Sequence, residues 1–288
     1  MRAEEIRAES WNDLTDLLFA GSWREGMGRF RSTCAFRGVG HAAHDLRTTL
    51  TRLGERAAEL EGHILRNFRK YAQGQVPFGQ SGGPMDSAWN WLAVAQHHGL
   101  PTRLLDWTYS PFVALHFATE GLEWSDHDAA VWVVDYARTN AFLPGPLQRV
   151  LADEGADVFT AEMLARAAPT LAEFDALARD RFVVFFEPPS LDDRIVNQFA
   201  LFSLLSDARV GLERWLAEHT EVWRRVVIPA ALKWEVRDKL DQANVTERVL
   251  FPGLDGLCRW LRRYYAPRGS TTTTAPPPMT LATTRPPS

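Results

Sequence analysis

The strongest constraint on the fold is the order in which helical and extended apolar patterns follow one another along residues 10–265. Segments with helical spacing crowd the first half of this stretch. Strand-like runs are short and unevenly spaced: Ser32–Phe36, 103–107, Val131–Asp135, Arg181–Phe186, Ile195–Leu204 and Trp223–Ile228. The regular strand–helix alternation of a doubly wound parallel sheet is missing, so the pattern points to α+β. The expected arrangement is a helical N-terminal half packed on a small mixed or antiparallel sheet. No internal repeat or long polar linker divides the stretch, which predicts a single domain over 10–265 with a flank at 1–9 and a tail at 266–288. Of the 19 residues from Ser270 to Ser288, seven are Thr and five are Pro. Such a tract cannot bury a core and is expected to be disordered.

Local signals place the helices. Ser10 is an N-cap for a helix through Trp11, Leu14 and Leu18. Residues 44–53 read as helical, and a helix from about Glu55 to Ala72 repeats Leu60, Ile64, Phe68 and Ala72 on one face. The Gly- and Pro-rich stretch Gln73–Pro84 is a loop, either a connector or a lid. Asp86 caps a helix from Ser87 to His98, which Gly99 and Pro101 stop. Ser110-Pro111 starts another that ends at Gly121. Residues 145–180 read as helical, Pro229 opens a helix ending near Asn244, and a last helix covers 254–264.

Charge excludes some functions. A formal net charge of −4 argues against a general binder of nucleic acid or anionic membrane, because no bulk basic surface collects phosphates. No apolar run approaches 18 residues, and no apolar segment follows the charged N-terminus. A soluble, cytoplasmic protein is expected. Cys34 and Cys258 each sit among apolar neighbours and read as buried free thiols, with a single disulfide as the alternative. The 11 Trp read as core anchors. Phosphate-loop, dinucleotide-fingerprint, nucleophile-elbow and zinc-protease motifs are all absent. His41 and His44 are spaced to share a helix face as zinc ligands, but a loop position and the lack of a nearby third ligand argue for no metal.

Three clusters carry chemistry. In Phe36-Arg37-Gly38 an Arg ends a short strand before a Gly. Its planar fork suits a phosphate or carboxylate ligand, or equally a buried structural carboxylate. The second and densest runs from Gln96 to Thr108 and includes His97, His98, Arg103, Asp106 and Trp107. Loops mixing polar groups with large apolar anchors are usually sites or buried polar networks. Arg103 and Asp106 are also placed to pair with each other. In the third, Arg194 to Ser203, Asn197 and Gln198 open an otherwise apolar run, and alternation puts one amide inward.

With these residues the chain resembles the FRG-domain family, named for the tripeptide that stands here as Phe36-Arg37-Gly38. The likeness extends through Leu92–Ala118, through Arg194-Ile-Val-Asn-Gln198 with Phe202, and through Leu250-Phe-Pro-Gly-Leu-Asp-Gly256 after Thr246-Glu247. A weaker resemblance is to the ADP-ribosyltransferase fold, where an aromatic-Arg-Gly ends the first strand and a hydroxyl-bearing second strand runs into a helix. That resemblance implies an NAD-dependent enzyme of a defence or toxin type, a glycosyltransferase acting on NAD. It implies Arg37 and Gly38 at the phosphate or ribose, Thr108 orienting the ribose, and His97, His98, Arg103, Asp106 and Trp107 lining the pocket. It needs a carboxylate on a late strand for an oxocarbenium-like transition state. Position gives Gln198 there instead, so Glu187, Asp106 or Glu247 would have to serve. NAD would be substrate, with an unidentified macromolecule as acceptor.

Two alternatives stay open. One is a non-catalytic module that binds a nucleotide or a partner, favoured by the missing Glu. The other is a hydrolase using His98 and Asp106 as an acid–base pair.

Overall fold

A computed structural model of the chain describes residues 4–267 apart from 55, 73, 77–85 and 191. The core of the loop read as a connector or lid, the first residue of the second helix and the Thr/Pro tail lie outside the described residues. The strands among them are β1 (Glu5–Arg7), β2 (Trp23–Arg24), β3 (Arg29–Phe30), β4 (Cys34–Val39), β5 (Leu104–Thr108), β6 (Ala129–Asp135), β7 (Phe159–Thr160), β8 (Val183–Glu187), β9 (Ala200–Leu205) and β10 (Trp223–Ile228). The first four helices are α1 (Trp11–Phe19), α2 (Ala57–Ala72), α3 (Ala88–His97) and α4 (Pro111–Thr119).

Eight strands form one sheet in the order β1-β10-β6-β4-β5-β9-β8-β7, and β2 and β3 form a separate hairpin. β1 runs parallel to β10 and β7 parallel to β8; the other neighbours are antiparallel. The class is α+β, as the sequence implied. The sheet is larger than expected, however, and it draws strands from the whole chain. β1 lies inside the stretch taken as an N-terminal flank, so that flank is an edge of the sheet.

One helix reading and one strand reading need correction. Residues 44–53 give only a 3-10 turn at Thr51–Leu53. The run Ile195–Leu204 splits into a short helix, Asp193–Asn197, and β9, because Asp192 caps the Ile195 N–H at 3.0 Å and winds the chain before the strand begins. The cap signals of α1 and α4 hold: Ser10 accepts from Asp13 and Ser110 from Val113, with Pro111 at the first turn. For α3 the cap is Ser87 rather than Asp86, and Gly99 ends the helix at φ +82°.

The core explains where a cleft forms. On one face of the sheet a single apolar layer runs unbroken from Ala35 and Val39 of β4 and Trp132 and Val134 of β6 to Leu105 and Trp107 of β5 and Val183 and Phe185 of β8, where Trp215 packs. The opposite face carries two separate layers. One joins Phe36, Val131, Val133, Val226 and Ile228 to α1, α4 and the helix Lys233–Gln242. The other joins Leu104, Phe186, Phe202 and Leu204 to Trp89 of α3 and to the helices of 145–175. The two layers part where β4 meets β5, a junction made through one residue pair, Phe36 with Thr108. Among the described residues no helix is long and apolar enough to cross a membrane.

Candidate functional site

At that junction a cleft of about 300 Å³ opens, within the size range of small-molecule sites. Its lining comes from five elements: Phe36, Arg37 and Gly38 of β4; Asp106, Trp107 and Thr108 of β5; Gln96 and His97 of α3; Phe117 and Glu120 of α4 and its C-cap; and Arg194 to Phe202 along the chain entering β9.

Arg37 spans the gap between the strands. One Nη donates to the main-chain oxygen of Asp106, and the buried Nε has no partner among the described residues. Burial pushes the guanidinium below the usual arginine range, against the opposing pull of the Asp106 carboxylate. Gly38 is required for a packing reason. A Cβ there would lie 1.9 Å from the Ala114 carbonyl oxygen and 2.7 Å from the Ala118 nitrogen, so the backbone of α4 rests directly on β4.

Asp106 is exposed, and its carboxylate accepts from Gln96 Nε2 at 3.0 Å while Gln96 Oε1 accepts from the Thr102 hydroxyl at 2.6 Å. His97 Nε2 lies 2.6 Å from Asp192 Oδ2. Burial lowers the His97 imidazole despite the raising influence of Asp192. Burial raises the Asp192 carboxyl, but the Ile195 N–H and His97 outweigh it and hold the group below the usual range. Arg194 is exposed with its guanidinium 5.1 Å above the Phe251 ring.

Residues 32–127 match the family model for the FRG domain. The chain contains an FRG domain. No curated protein matches the chain, and no solved structure does. The matched FRG stretch supplies β4, β5, α3 and α4, and therefore all of the cleft except the Arg194–Phe202 wall.

The cleft gathers Arg37, Gly38, His97, Asp106, Trp107, Thr108 and Gln198. Several of them face it with their chemistry already engaged. The Thr108 hydroxyl donates to the Gln198 carbonyl at 2.7 Å and accepts from the Ser110 N–H, so it locks two chain segments. Gln198 Nε2 donates to the Leu250 carbonyl at 2.9 Å, and its neighbour Asn197 donates to Val249 at 2.9 Å. The Trp107 indole is buried and donates to the Ser203 hydroxyl at 2.8 Å; its role as a wall is secondary to its role in the core.

Four candidates fall outside. His98 is exposed, edge-on to His97, and does not line the cleft, because consecutive helical positions point about 100° apart. Arg103 pairs with Glu61 and Asp175 rather than with Asp106, and these partners outweigh burial and raise its guanidinium above the usual range. Glu247 is buried in ion pairs with Arg263 and Arg237, and Glu187 accepts from the Tyr109 hydroxyl at 2.8 Å. Neither acid lines the cleft.

Asp192 and Glu120 were not singled out from the sequence. A usable signal existed for Glu120, which stands one turn after His116 at the end of α4. His41 and His44 pack with Trp124 and His127 into an aromatic cluster with ring centroids 4.7–5.7 Å apart. Among the described residues no group of three or more His, Cys, Asp or Glu is placed to hold a metal ion. Cys34 is buried as expected; Cys258 is exposed, and both are free. A larger groove of about 930 Å³ borders Arg103, Arg181 and Arg209, but their charges are met by Asp175 and Asp207 within it.

Proposed function

We propose that the cleft binds an NAD-like dinucleotide and that the chain acts as an ADP-ribosyltransferase-type enzyme. The observation that carries this reading is Arg37. Its half-buried side chain lines a small-molecule-sized cleft at the parting of two strands, and its buried Nε has no partner among the described residues. A fixed fork of donors in a low-dielectric site suits a diphosphate, and Arg194 adds a second cation at the rim. Phe36, Phe117 and Phe202 supply apolar walls for flat rings.

The reaction breaks the bond between ribose C1′ and the nicotinamide nitrogen. The bonding pair leaves with nicotinamide, and C1′ then bonds to an acceptor nucleophile that gives up a proton. Positive charge develops on the ribose and is best met by a nearby carboxylate. Gln198 cannot supply that charge and Glu247 is spent on arginines. Asp106 and Glu120 are the carboxylates among the lining residues, and the role passes to them. The test is calorimetric titration with NAD and with ADP-ribose, followed by assay for free nicotinamide with and without macromolecular acceptors. Saturable binding that Arg37→Ala abolishes, together with nicotinamide release, supports the reading. Binding without release converts it to a binding module, and unchanged binding in Arg37→Ala removes the site.

A second reading rests on the His97–Asp192 contact at 2.6 Å. An imidazole lowered by burial is neutral at pH 7 and able to accept a proton, the property of a general base in a nucleotide hydrolase. The pair differs from the His98–Asp106 pair expected from the sequence. Hydrolysis of nucleotide phosphodiesters that falls at least a hundredfold in His97→Gln would favour it over glycosyl transfer.

A further inference from the structure

Behind the cleft lies a buried His whose hydrogen bonding fixes its tautomer. His116 is fully buried on α4. Its Nδ1 lies 2.9 Å from Nη1 of Arg237, on the helix Lys233–Gln242 packed against α4. A guanidinium has only donors, so Nδ1 must hold a lone pair and the ring proton sits on Nε2. Nε2 has no formed hydrogen bond, and Glu120 Oε2 lies 3.2 Å from it. Glu120 is partly exposed and lines the cleft. Arg237 is otherwise poorly served: its Nε and Nη2 lack hydrogen bonds, with Asp241 at 3.5 Å and Glu247 at 3.9 Å. An imidazole and a guanidinium without full partners are costly to bury, which calls for a role.

We propose that His116 is a positioning residue. Fixed as the Nε2–H tautomer by Arg237, it holds one oxygen of Glu120 and leaves the other as an oriented acceptor for a hydroxyl of the bound ligand. This rests on the reading of the cleft as a nucleotide site; the ligand group engaged is a sugar hydroxyl. Such an arrangement puts the carboxylate's orientation under the control of α4 and the helix behind it rather than of solvent.

Two measurements on the full chain test it. The first is 15N NMR of histidine-labelled protein, with the His116 signals assigned by their loss in His116→Gln. The expected result is an unprotonated Nδ1 and a protonated Nε2 whose shift moves in Glu120→Gln. An Nδ1–H tautomer, or an Nε2–H indifferent to Glu120, overturns the relay without reference to any ligand. The second is titration with ADP-ribose. Glu120→Gln and His116→Asn are each expected to weaken binding about tenfold, with the double variant no weaker than Glu120→Gln alone. His116→Asn keeps an acceptor for Arg237 but removes the donor to Glu120. His116→Gln returns a donor and is expected to recover affinity. Wild-type affinity in folded His116→Asn overturns the proposal. Absence of ADP-ribose binding by the wild-type chain overturns the cleft reading and Glu120's ligand role together, while the NMR result still decides the relay.

Discussion

Gly38 and Arg37 are neighbours with opposite duties. Arg37 bridges the parted strands, whereas Gly38 lets α4 lie on β4 with no side chain between them. Gly38→Ala therefore drives a methyl into the Ala114 carbonyl, and α4 must lift. We expect a loss of about 3 kcal/mol or more, read as a lower midpoint in urea denaturation, or failure to fold. Gly256 is under the same constraint, with a Cβ 1.8 Å from the Phe251 oxygen. Arg103 shows how a residue in the densest motif can serve structure alone. It is buried between Glu61 and Asp175, and removing one member of such a pair strands the others' charges. Arg103→Ala should cost about 3–5 kcal/mol in chemical denaturation while the cleft's chemistry is untouched in whatever protein remains folded.

Two distant motifs are one device at the scale of elements. The helix Asp193–Asn197 ends in two amides, Asn197 and Gln198, that donate to the carbonyls of Val249 and Leu250. Phe251 then lies under the guanidiniums of Arg194 and Arg259 and edge-on to Phe117. The C-terminal segment thus props three residues of the cleft wall, Gln198, Arg194 and Phe117. Asn197→Ala should raise hydrogen exchange in 247–264 with the sheet unaffected; equal protection in that segment would contradict the clamp. The same segment should be acid-sensitive. Burial alone would raise the Glu247 carboxyl, but Arg263 and Arg237 outweigh it and hold it below the usual range. A carboxyl depressed in the folded state stabilises above its unfolded value and stops doing so as pH falls through the folded value. The helix Leu254–Tyr264 is therefore expected to loosen before the sheet below about pH 4, and exchange measured across pH 3–7 checks this. The sequence could not show this device. Asn197 and Gln198 were legible as buried amides needing partners, but those partners are main-chain atoms 52 residues away.

Across the whole molecule, the sheet carries one continuous core on one face and two on the other, and the cleft is the seam between the two. Elements with end signals in the sequence were legible to within a residue or two: β10 and the helix Leu254–Tyr264 match, and α1 and α4 begin at the Ser caps read for them. Strand order was not legible, because the β4–β5 junction pairs Phe36 with Thr108, far apart in sequence, and depends on which core each face buries. That is why Arg37, His97 and Asp106 could be named as one group while His98, Arg103 and Glu247 could not be told from them. Cleft and core positions look alike in a polar-apolar motif until the faces are assigned. This seam, with Arg37 across it, is where we propose that a dinucleotide binds. A crystal structure of the chain with ADP-ribose tests it most directly. The expected result is the molecule in the cleft between β4 and β5, with a phosphate within hydrogen-bond distance of Arg37 and a sugar hydroxyl on Glu120. ADP-ribose bound instead in the groove beside Arg181 and Arg209, or a seam left empty at saturating ligand, would contradict it.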